Sequence, residues 1–228
     1  WITAPMVFVA AGYLLGPGGL GWLNIAPDVE GIRHLTEITL AILLFADAST
    51  LDFWKIEEDA NLPLRLLTIG LVLTIGLGAL LAVFVLRGEG LAFAALIGAI
   101  LAPTDAALGL SIFNNQRVPA RVRRALRVES GLNDGIATPF VTLFVALAVS
   151  ETTGEGGHWL ATAASEIALA LLAGAVIGFV GGWLLLQARR RKLNGGASEQ
   201  IAVLALALVA YFGSLAIHGN GFIAAFVA

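Results

Sequence analysis

Cysteine is absent from this 228-residue chain, which excludes disulfides and thiolate metal sites and leaves the redox compartment unreadable. Charge is scarce. Asp, Glu, Lys and Arg make up 13% of the residues, against about 25% in an ordinary soluble domain, so a large soluble core is excluded. The ten-residue alternation that marks an outer-membrane barrel is also missing, so any membrane spans must be helical. No two histidines have metal-ligand spacing, and no glycine-rich nucleotide loop occurs. The net charge of −3 decides little, because the distribution of charge matters more than its sum.

What remains is apolar: 58% of residues are hydrophobic and the mean hydropathy is +0.90. Apolar runs of about 18 or more residues recur, which reads as an all-α, polytopic membrane helix bundle. The expected helices are 2–16, 35–51, 64–86, 91–113, 126–149, 159–186 and 199–217, with a partial helix at 220–228. The first run, Ile2 to Leu15, is short for a span, and the last stops at Ala228. The chain therefore reads as truncated at both ends, a piece of a longer protein.

Orientation follows from basic residues in short loops. Arg117, Arg121, Arg123, Arg124 and Arg127 fall in one connection and Arg189, Arg190, Arg191 and Lys192 in another, while Lys55 and Arg65 flank a third. Strict alternation puts these three on one side, with Arg33 and Arg87 opposite. Loops 114–125 and 187–198 are therefore expected in the cytoplasm of a multi-pass protein of the cell membrane. Between two spans, an arginine-rich loop is not a nucleic-acid patch, and no nucleic-acid partner is expected. Gly174, Gly178 and Gly182 recur every fourth residue, as do Gly70, Thr74 and Gly78, a spacing that lets membrane helices approach closely.

Two apolar stretches carry polar residues that are costly at membrane depth and usually have a task there. In the first, Pro103 precedes Thr104 and Asp105. Proline lacks an N–H and crowds the carbonyl of Ala99, so the helix must kink or open. An opened helix beside Asp105 presents bare carbonyls and a carboxylate, which suits a small hard cation. Alternatively, Asp105 caps the second half-helix; the two roles are compatible. In the second stretch, Glu129 and Asn133 are one turn apart, as are Ser130 and Asp134, so the four form one polar stripe. Pro139 weakens the bond to the carbonyl of Gly135 beside Asp134. Glu129 could instead be an edge residue held by Arg127 or Arg124. Asn133 and Ser130 serve equally well as scaffold or ligands. Asp47, Glu37 and Glu166 read as structural or cavity-lining, and His218 as a loop residue.

The Pro103-Thr104-Asp105 break and the Glu129-Ser130-x-x-Asn133-Asp134-Gly135 motif resemble the monovalent cation:proton antiporter family, the sodium/proton exchangers. Leu43-Leu44-Phe45, Leu62-Pro63-Leu64-Arg65 and Gly221-Phe222-Ile223-Ala224-Ala225-Phe226 also fit, so the similarity spans essentially the whole chain. The resemblance implies an inverted-repeat fold with a discontinuous helix at the ion site, a mobile core moving against a dimer-forming domain, and thus a homodimer in the bilayer. The basic residue that relatives offer to the motif glutamate would lie beyond Ala228. Asn-Asp, where electrogenic relatives have Asp-Asp, favours electroneutral one-for-one exchange of a cation, sodium in this reading, for protons.

Within that expectation Asp134 carries either ligand, because desolvation raises a carboxylate's proton affinity. Thr104, Ser130 and Glu129 supply oxygens, while Asp105 and Asn133 hold the opened backbone. A sodium ion would be cargo, bound by Asp134, Thr104 and Ser130; no organic cofactor and no enzymatic reaction are expected. Another transporter of the same fold or a passive cation channel are the alternatives. An intramembrane protease is disfavoured, because Asp105 and Asp134 lack a Gly-x-Gly-Asp setting and Ser130 lacks a preceding Gly-x.

Overall fold

Eight helices account for the secondary structure of the described residues in this computed structural model, which comprise 4–23, 30–49, 61–104, 115–154, 156–191 and 196–228. They are α1 (Ala4–Leu15), α2 (Glu30–Ser49), α3 (Asn61–Val85), α4 (Leu91–Leu101), α5 (Ala120–Thr153), α6 (Gly156–Arg190), α7 (Gly196–Ala216) and α8 (Gly221–Val227). No strand occurs among the described residues. Four helices (Asn61–Val85, Ala120–Thr153, His158–Arg190 and Ser198–Ala216) are long and apolar enough to cross a membrane. Their outward faces are apolar too; Phe179 on α6 is 79% exposed. Lipid rather than water is the solvent that makes such a face stable.

The chain divides into two compact units, Trp1–Thr39 and Leu40–Ala228. In the first, α1 ends in a tight turn closed by the Gly19 N–H on the Gly16 carbonyl at 3.0 Å. On α2, the Arg33 guanidinium donates to Glu37 one turn on at 2.8 Å.

In the second unit, α3 opens with Pro63 in its first turn, where a missing N–H costs nothing. Residues Leu66–Gly70 then wind as a π-helical turn before α-geometry resumes. α3 packs on α4 where small residues face each other: a Cβ on Gly98 would lie 2.6 Å from the Ala79 nitrogen. That crossing and the α4–α5 contact enclose Leu71, Ile75, Ala99 and Ala102, against which Phe140 and Phe144 of α5 pack. α5 and α6 are joined at Gly154, whose φ of 75° is a left-handed conformation that glycine adopts without strain. The two helices therefore run antiparallel, which puts the arginine-bearing start of α5 and the end of α6 toward the same end of the bundle. There Arg189 pairs with Glu199 of α7. Gly174 and Gly178 of α6 lie against the backbone at Ala224 and Ala228 around α8. Gly182, expected to continue that stripe, meets nothing within 4 Å.

Two boundaries differ from the sequence reading in a way that matters. α5 begins at Ala120, not 126, so Arg121, Arg123, Arg124 and Arg127 ride on its first turns rather than in a loop. Pro119 fixes the entry, and the arginines after it are good helix formers, so nothing delays the start. α4 ends at Leu101, and residues 102–104 leave the helix just where Pro103 stands. The expected continuation to 113 and Asp105 itself lie outside the described residues.

Candidate ion-binding site

The end of α4 supplies the first half of the site. Just past the end of α4 at Leu101, the carbonyl of Thr104 is taken up from α5. Asn133 Nδ2 donates to it at 3.1 Å, and Ser130 Oγ approaches it at 3.5 Å. The same Nδ2 reaches Thr104 Oγ1 at 3.0 Å and Glu129 Oε1 at 3.3 Å. Thr104 Oγ1 lies 3.1 Å from each Glu129 carboxylate oxygen and 3.4 Å from Ser130 Oγ. Thr104, Glu129, Ser130 and Asn133 are thus one hydrogen-bonded cluster clamping the broken end of α4 to α5.

Burial ranks the members of this cluster. Asn133 is 1% exposed and Ser130 6%, whereas Glu129 is half-buried and Thr104 exposed. Among the described residues Glu129 hydrogen-bonds with Thr104 and Asn133. Asn133 Oδ1 is buried with no hydrogen-bond partner among the described residues.

Asp134 follows Asn133 and opens in another direction. Half-buried, it lines a cavity of about 720 Å³ together with Pro103, Thr138 and Thr142 of α5 and Glu166 of α6. Asp134 thus stands next to the clamp in sequence and on the wall of this cavity. Thr138 Oγ1 donates to the Asp134 carbonyl at 2.8 Å and Thr142 Oγ1 to the Thr138 carbonyl at 3.1 Å. Both threonines line the cavity as well. Among the described residues no group of three His, Cys, Asp or Glu side chains gathers around a common point. Hydroxyl, amide and carboxylate oxygens suit a weakly bound monovalent cation better than a tightly held transition metal.

Sequence reasoning missed Thr138, Thr142 and Asn220. Asn220 Oδ1 caps α8 by accepting from Phe222 N at 3.0 Å and Ile223 N at 3.1 Å, and its Nδ2 donates to Thr142 Oγ1 at 3.0 Å. The available signal was the fourfold spacing 134, 138, 142 along one face of α5. Gly135 of the motif is pressed against the ring of Phe226 from α8, so a side chain there has no room.

The sequence also matches known proteins. A family described as sodium/hydrogen exchanger, transmembrane, matches residues 2–228. The chain is 26% identical to the K(+)/H(+) antiporter NhaP2 of Shewanella baltica, over 97% of this chain and 38% of that protein. It is 31% identical to the Na(+)/H(+) antiporter 2 of Zygosaccharomyces rouxii, over 94% of this chain and 28% of the relative. With the K(+)/H(+) antiporter NhaP of Alkalimonas amylolytica the identity is 29%, over 99% of this chain and 39% of the relative. The chain thus spans between a quarter and two fifths of the length of these curated relatives.

Proposed function

The chain belongs to the sodium/hydrogen exchanger family, and from that premise we propose that it forms the ion-binding half-site of an electroneutral antiporter exchanging a monovalent cation for protons. The observation that supports this most is the clamp of Thr104, Glu129, Ser130 and Asn133 at the broken helix, with Asp134 beside it facing a cavity.

In this reading Asp134 binds a proton or a cation, never both, and competition couples their opposite movements. Asn133 is neutral, so the exchangeable charge is the single one on Asp134. Either ligand cancels it, and a neutral loaded site crosses the bilayer cheaply while the empty charged one does not. Glu129 is engaged by Thr104 and Asn133. Thr104 and Ser130 offer hydroxyl oxygens to the bound ion, and Asn133 steadies the opened backbone. Oxygen donors of this kind accept sodium, lithium or potassium, and the relatives' names divide between potassium and sodium. Sodium is the cargo we assign, with the arginine-bearing face of α5 and α6 cytoplasmic, the cell membrane as location and a homodimer as the assembly.

The test is flux driven by a pH gradient in vesicles holding the full-length protein, with sodium, lithium and potassium supplied in turn. Wild-type protein is expected to exchange sodium at least as well as potassium, and Asp134→Asn to abolish all exchange. Survival of exchange in Asp134→Asn would remove Asp134 as the carrier.

A further inference from the structure

The cavity beside Asp134 does not end at α5. It continues to Glu166, half-buried on α6, which the exchange mechanism above does not use. Glu166 also lines a second cavity of about 290 Å³, whose wall includes His218, Gly219 and Asn220 of the turn between α7 and α8. One carboxylate therefore fronts both spaces, the outer against the α7–α8 turn and the inner containing Asp134.

The level of Glu166 along the bundle is fixed by hydrogen bonds. Its carbonyl accepts from Asn220 N at 3.2 Å, and Asn220 Nδ2 donates to Thr142 Oγ1 at 3.0 Å. Thr142 stands about 12 Å along α5 from Asp134, taking about 1.5 Å per residue. That is too far for one ion to touch both carboxylates, and Thr138 lies between. Lys, Arg and His are absent from the inner cavity's lining among the described residues. Apart from the two carboxylates and Thr138, Thr142, Thr162, Trp159 and Asn220 the rest of its wall is apolar, and negative charge in such a cleft concentrates cations. The indole Nε1 of Trp159, on the same wall, is buried without a partner among the described residues.

We propose that Glu166 is a second cation-binding carboxylate, a way station for the transported monovalent cation between the space beside His218 and Asp134. This rests on the antiporter reading of Asp134. It assigns Glu166 to the approach from the end of the bundle where α5 turns into α6, opposite the arginine-bearing end.

The experiment is apparent KM for sodium, measured separately from each side of oriented vesicles containing the full-length protein. Glu166→Gln is expected to raise KM from the side of the α5–α6 turn by about fivefold or more, relative to any change from the arginine-bearing side. Glu166→Asp, which keeps the charge, is expected to bring that KM back to within about twofold of wild type. An equal change on both sides, or none, overturns the proposal. Should Glu166→Gln be inactive, an equally inactive Glu166→Asp assigns the residue to packing and overturns it as well, whereas an active one supports it. Failure of the underlying reading shows differently, as exchange that survives Asp134→Asn.

Discussion

Asn133 decides the architecture of the site at the scale of a single residue. Its amide nitrogen is shared among the Thr104 carbonyl, the Thr104 hydroxyl and Glu129, all within 3.3 Å. Asn133 itself is 1% exposed. Asn133→Ala leaves the Thr104 carbonyl and the Glu129 carboxylate short of a donor, which costs about 1–3 kcal/mol. Thermal unfolding of the full-length protein in detergent is expected to show a lower midpoint for this variant; an unchanged midpoint would mean the clamp contributes nothing. The residue types were legible beforehand, because carboxylates and amides at membrane depth stand out against leucine and valine. Their division of labour was not. A stripe of Glu129, Ser130, Asn133 and Asp134 reads as one surface on a helical wheel, yet the first, second and third turn toward α4 while Asp134 lines a cavity. Only the partner helix separates them.

Helix ends set the next scale. Glu151, near the end of α5, accepts the backbone N–H of Ala92 at 3.2 Å and so caps α4 from another helix. Since α4 runs from that cap to the break at Pro103, its position relays directly to Thr104. Glu151→Ala is expected to destabilise the protein by about 0.5–2 kcal/mol, the usual loss of a capping oxygen. It should also weaken cation affinity through the displaced Thr104, read as a raised KM in vesicle flux. A raised KM without any loss of stability would count against this route. In the sequence, proline marked the break in α4 correctly because the missing N–H acts locally. The entry of α5 was read six residues late, since arginines at a membrane edge look like loop although they favour helix. The Glu151 cap was invisible, because it joins residues 59 apart.

For the whole molecule, antiparallel α5 and α6 gather the basic residues at one end and leave an acidic, threonine-lined cavity open toward the rest of the bundle. Hydropathy made the bundle legible, and small residues foretold the tight α3–α4 and α6–α8 crossings. The cavity was not legible, because Leu40, Asp134, Glu166 and Asn220 come together only through tertiary packing. A single exchangeable charge predicts that transport is indifferent to membrane potential. Imposing about 100 mV, worth about 2.3 kcal/mol per net charge moved, is expected to leave the exchange rate unchanged. A rate that follows the potential would require a second charge to move with the ion. The most direct measurement is cation-for-cation exchange by the full-length protein at equal pH on both faces of the vesicle, repeated at successively lower pH. Competition for Asp134 predicts that apparent KM climbs, approaching about tenfold per pH unit, while the maximal rate at saturating cation holds constant. A constant KM with a falling maximal rate would contradict it, placing proton and cation on different groups.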